Sequence, residues 1–168
     1  MKTAFFWLVI LFFAYVLQSS ICNVISYDDI TVNLILLMTV FLSILHDKYA
    51  ILFGFYAGLF QDLASGTFLG IYAFSLLIIC IITSKISERI YKDNIFLPLA
   101  ASFLATLVHN FILAILIYLL GYTFNWLSII NNALIELIYN LIFAYPVFFA
   151  ITKIDRKFQD FLKRLNPY

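Results

Sequence analysis

The side chains able to do chemistry are few, and they lie inside apolar runs. His109 and Asn110 fall near the middle of one run, and Glu136, Tyr139 and Asn140 fall in another. Glu136 and Asn140, four residues apart, share one face of a helix. Such groups are costly in hydrocarbon, so they turn to the interior of a bundle and pair there. A proton relay, a ligand pocket and hydrogen bonds to a partner's helix are all compatible with them. An internal polar clasp between the two runs accounts for them with fewer assumptions. Asp62 is another embedded acid, just ahead of the turn signal Ser65-Gly66. It either binds a cation or substrate amine, or caps the following helix, where free N–H groups and the dipole favour an anion. Capping alone explains it.

Ala50, Gly54, Gly58 and Asp62 recur every fourth residue and form one stripe. Small residues at this spacing let helix backbones approach closely, the main source of packing energy between helices in a bilayer. The stripe serves either another helix of this chain, the simpler expectation, or a partner. Ser65, Gly66 and Gly70 join it as candidate packing or partner-contact positions. No G-x-S-x-G, H-E-x-x-H or phosphate-cradling glycine loop occurs, and His46 and His109 belong at different depths, so neither an enzyme nor a bound cofactor is expected. Cys22 and Cys80 form no C-x-x-C pair, and a disulfide framework or metal site is not expected.

These groups must be held by elements immersed in lipid. Apolar residues make up 65% of the 168 and charged ones 11%, with a mean hydropathy of +1.05. That is too little charge to coat a soluble core. A net charge of +1 leaves no basic surface for nucleic acid. The expected fold is an all-α integral membrane protein, a single transmembrane domain over residues 1–168 with about six spans: Ala4 to Ile21, Thr31 to Leu45, Tyr49 to Leu63, Phe68 to Ser84, Ile95 to Leu120 and Ala133 to Thr152. The second and third are short, and they either span a locally thinned bilayer or form a re-entrant hairpin about His46-Asp47-Lys48. The first run has no A-x-A cleavage pattern after it and is expected to be retained rather than removed as a signal peptide.

With six spans and an inner N-terminus, the inner segments are Met1 to Thr3, His46 to Lys48, Lys85 to Asn94 and Lys153 to Tyr168. They hold every Lys and Arg of the chain, while Asp28, Asp29 and Asp62 mark the other side. The positive-inside rule therefore places both termini in the cytoplasm. In the tail from residue 152 to 168, Ile154, Phe158, Phe161, Leu162 and Leu165 recur at helical spacing among charges. That pattern reads as a short amphipathic helix on the inner interface.

The stretch Gly54-Phe55-Tyr56-Ala57-Gly58-Leu59-Phe60-Gln61-Asp62-Leu63-Ala64-Ser65-Gly66-Thr67-Phe68-Leu69-Gly70-Ile71-Tyr72-Ala73 resembles the G-F-x-x-G-L-x-x-D-x-x-S-G-x-x-L-G-x-Y-A signature of the rod shape-determining protein MreD family at every fixed position. Leu17-Gln18-Ser19, Leu97-Pro98 and Glu136-x-x-Tyr139-Asn140 with Pro146 resemble other pieces of that family. Thr31-Val32-Asn33-Leu34 lacks the proline the family often has there, and His46-Asp47-Lys48 stands where the family is usually arginine-rich. The resemblance implies a non-enzymatic component of the bacterial elongation machinery in the cytoplasmic membrane. Implied partners are MreC, through its transmembrane helix, and indirectly MreB, RodZ, RodA and a class B transpeptidase, with membrane lipid around the bundle. It also implies a bundle like the substrate-binding subunits of energy-coupling-factor vitamin transporters. The rival reading, such a transporter subunit itself, meets a bulky first span, Phe6 to Phe13, where a small-residue stripe is expected.

Overall fold

A backbone surrounded by hydrocarbon must satisfy its own N–H and C=O groups, and a helix does this within one segment. In a computed structural model of the chain, residues 2–20, 26, 30–66, 68–87, 96–123 and 125–165 are described. Among them the regular elements are all helical: α1 (Lys2–Ser20), α2 (Leu34–Leu45), α3 (Ala50–Ser65), α4 (Ile71–Ser87), α5 (Leu97–Leu119) and α6 (Trp126–Leu165), with a 3₁₀ turn (Asp47–Tyr49) between α2 and α3. Three helices are long and apolar enough to cross a membrane, over Thr3–Ser20, Leu97–Leu119 and Trp126–Arg164; Leu34–Leu45 and Ile71–Ser87 are apolar but shorter.

The shortness of α2 has a reason in its position. It touches all five other α-helices, and every side chain from Ile35 to Ile44 is buried. At 1.5 Å per residue it is about 18 Å long. A helix sheathed in protein need not match the hydrocarbon thickness of about 30 Å that constrains a lipid-facing one. The hydroxyls of Thr39 and Ser43 bond back to the carbonyls of Ile35 and Thr39, each at 2.7 Å, so they cost little in this apolar sheath.

α3 and α4 approach most closely. A Cβ on Gly58 would lie 2.2 Å from Ala73 Cα, and one on Gly54 would lie 2.8 Å from the Leu76 carbonyl oxygen. The small-residue stripe thus seats a neighbouring helix of the same chain. Gly66 ends α3 in the left-handed conformation, at φ 63°, where a side chain would be strained.

α6 differs from expectation at both ends. It begins at Trp126, where the Asn125 side chain accepts the N–H of Leu127 at 3.0 Å. It then runs unbroken to Leu165, so the tail is its last turns and not a separate helix. No Gly or Pro interrupts it after Pro146. Phe158 stacks on Phe6 at 3.9 Å, and Asp155 accepts from His46 Nε2 at 2.8 Å and Trp7 Nε1 at 3.3 Å. Every Lys and Arg among the described residues sits at this end of the bundle: Lys2 opens α1, Lys48 lies in the 3₁₀ turn, Lys85 ends α4, and the rest occupy the last turns of α6. The anticipated inner loop from Lys85 to Asn94 lies outside the described residues beyond Ser87, as do Cys22, Asp28, Asp29 and the chain end at Tyr168.

Candidate functional site

The opposite end of the bundle holds a polar network centred on Asn33. This residue caps α2: its Oδ1 accepts the N–H of Leu36 at 3.0 Å. That bond fixes the orientation of the amide, since Oδ1 must face a donor. The amino group of Asn33 therefore points away and donates to Glu136 Oε1 at 3.1 Å. The second carboxyl oxygen, Oε2, accepts from the Asn110 amide at 2.8 Å. The backbone N–H of Asn33 donates to Asn140 Oδ1 at 2.9 Å, and the Asn140 amino group donates to Thr106 Oγ1 at 2.9 Å.

Gln61 on α3 completes the set. Its amino group donates to Asn33 Oδ1 at 3.2 Å. Its carbonyl oxygen is buried and has no hydrogen-bond partner among the described residues, a costly state for a polar atom. Gln18, in the last turn of α1, accepts the N–H of Ile35 at 3.0 Å. These side chains border a cavity of about 420 Å³ whose walls also include Tyr15, Tyr72 and His109. His109 is buried, with Nδ1 2.8 Å from Ser75 Oγ.

The structure thus brings His109, Asn110, Glu136 and Asn140 to one region, with Glu136 and Asn140 together on Asn33. Tyr139 instead packs against the apolar core. Asn33, Gln61, Gln18, Thr106 and Ser75 were not singled out from the sequence. Asn33 carried one signal, an Asn directly before the apolar run Leu34-Ile35-Leu36-Leu37. Thr106 carried another, at i−4 from Asn110 and so on its helix face.

Asp62 lies at the α3–α4 turn, almost fully buried at 1% exposure. Its Oδ2 accepts the N–H groups of Gly70 (2.9 Å) and Ala73 (3.1 Å), and its Oδ1 that of Tyr72 (2.9 Å). The carboxylate thereby satisfies the free donors at the start of α4. Ser65 donates to the Asp62 carbonyl at 3.2 Å. Gly70, at φ 107°, supplies the backbone conformation that brings its N–H to the carboxylate. Ala50, at the start of α3, is buried like Gly54 and Gly58.

A family model described as rod shape-determining protein MreD matches residues 1–158. The chain belongs to the MreD family. Membership implies a role in rod shape determination, and together with the three long apolar helices it indicates a membrane protein. The α3–α4 hairpin with its glycine seat and aspartate cap is where this chain carries the family-like signature. No curated protein and no solved structure gives a match.

Proposed function

We propose that this MreD-family chain is a non-enzymatic scaffold of the elongation machinery, a six-span bundle of the bacterial cytoplasmic membrane with both termini inside. It binds the transmembrane helix of MreC and so couples MreB filaments to peptidoglycan synthesis, with RodZ, RodA and a class B transpeptidase completing the assembly. The bundle belongs in this proposal to the same type as the substrate-binding subunits of energy-coupling-factor transporters. The observation that carries the reading is the family match over residues 1–158 of the 168.

Two features support it. The described basic residues gather at one end of the bundle, the distribution expected of an end turned to anionic lipid headgroups and the cytoplasm. Large apolar side chains such as Phe5, Phe111, Leu127 and Phe149 are exposed on the outer surface, 62–75% accessible, where lipid or a partner's helix covers them. The glycine stripe already holds α4, so its contribution is to the shape of the bundle that receives MreC. Co-expression with MreC and purification in mild detergent tests the reading. The wild-type chain should retain MreC, and Gly58→Leu, which forces α3 off α4, should retain much less. A wild-type chain recovered free of MreC would overturn the proposal, and full recovery with Gly58→Leu would remove the hairpin from it.

A further inference from the structure

The polar cavity has a direction, a bias in its chemistry and an unfilled acceptor. Its lining comes from the end of the bundle away from the basic residues: Gln18 in the last turn of α1, Thr31 before α2, Ser65 at the end of α3 and Asn132 near the start of α6. Burial orders it from floor to rim. Asn33, Gln61 and His109 are buried, Glu136 is half-buried, and Ser65 and Asn132 are exposed. The site is therefore a well that opens at that end.

Donors and acceptors in the well are unevenly committed. One N–H of Asn33 goes to Glu136, the Asn110 amino group is divided between Glu136 and the Thr106 carbonyl, and one N–H of Gln61 goes to Asn33. Gln61 Oε1 is left over, buried and unpartnered, at the floor. Beside it stands the Glu136 carboxyl group, whose two oxygens each take one amide N–H and keep further accepting capacity. Among the described residues no Lys or Arg is in the wall, whereas Tyr15 and Tyr72 are. An unpartnered acceptor at the floor, an acidic side chain with no basic partner among the described residues and aromatic walls together select an organic cation rich in N–H donors. A volume of about 420 Å³ is suited to a small headgroup rather than a bare ion.

We propose that this well is a binding site for a primary ammonium group, with the N–H donors of the ligand meeting Gln61 Oε1 and Glu136. Two sources carry that chemistry: the aminoethyl head of a phosphatidylethanolamine in the adjacent leaflet, or a free small amine entering from the same side. The amides of Gln18 and Asn132 nearer the rim meet the oxygens that follow such a headgroup.

The test uses the full chain in nanodiscs of phosphatidylglycerol alone, in discs with half phosphatidylethanolamine of the same acyl chains, and in phosphatidylglycerol discs with millimolar ethanolamine. Unfolding is followed by tryptophan fluorescence. Occupancy should raise Tm by about 3 °C or more over phosphatidylglycerol alone. A rise with the lipid alone assigns the lipid source, and a rise with ethanolamine assigns the free amine. Gln61→Met keeps the bulk of the side chain but removes the orphan acceptor, and it should halve the gain or worse. Glu136→Gln should abolish it. Should Glu136→Gln fail to fold, Gln61→Met decides alone. Equal melting of the wild type in all three media, or a gain that Gln61→Met keeps in full, would overturn the proposal. None of these readings depends on whether MreC co-purifies.

Discussion

At the scale of single residues, Asp62 governs the turn on which the hairpin depends. Its two oxygens take three backbone N–H groups, all within 3.1 Å, and it is almost wholly shielded from water. Asp62→Ala leaves those donors without a partner and removes an anion from a helix start, at a cost of roughly 2–4 kcal/mol. Thermal unfolding of the purified protein in mild detergent should show Tm well below the wild type. Asp62→Asn should fall between them, since its single oxygen cannot serve both sets of donors. An Asp62→Ala protein melting with the wild type would refute the capping role. This residue was legible in the sequence because its partners are local: a turn signal follows it by three positions, and the helix it caps begins soon after. The links from Asn33 to Glu136 and Asn140 and from Gln61 to Asn33 were not, because those partners lie 103, 107 and 28 residues away in the chain. Only the central placement of α2 brings them into reach.

At the scale of elements, the sequence showed where helices lie better than where they end. The apolar runs mark each helix because burial in lipid or protein needs continuous apolarity, and α1 and α5 lie within two residues of the expected limits. α6 runs past the expected limits at both ends. The Asn131-Asn132 pair and the charges after Thr152 look like surface, yet nothing there breaks a helix, and hydrogen bonding continues through them. What fixes the last turns is tertiary: Asp155 joins His46 after α2 and Trp7 in α1, and Phe158 stacks on Phe6. Asp155→Ala should loosen this junction and speed hydrogen exchange across residues 153–165, with α2 and α5 unchanged. The loss is modest, about 1 kcal/mol for a partly exposed hydrogen-bonded pair. Unchanged exchange in those turns would show that Phe158 and helix continuity suffice to hold them.

At the scale of the whole molecule, the asymmetry of charge decides how the bundle sits in the membrane. Lys48, Lys85 and the basic residues of the last α6 turns all occur at one end, while the well bordered by Glu136 opens at the other. Moving that many cations across hydrocarbon is far costlier than keeping them on the side of synthesis, so the proposed topology puts this end in the cytoplasm. Two exposed positions report on it: Ser26, between α1 and α2, and Lys157, near the end of α6. In a background with Cys22 replaced by serine, Ser26→Cys should react with a membrane-impermeant maleimide in intact spheroplasts. Lys157→Cys should react only once the membrane is permeabilised. Buried Cys80 should stay silent in both conditions and serve as the internal control. The reverse pattern would place the basic end outside, away from the cytoplasmic filaments, and the scaffold reading would fail with it. Labelling of both positions from outside would mean that α6 does not complete its crossing. The bundle would then have an odd number of spans despite its six helices, and Pro146, which cannot donate to the carbonyl of Ile142, would be the first place to look for the break.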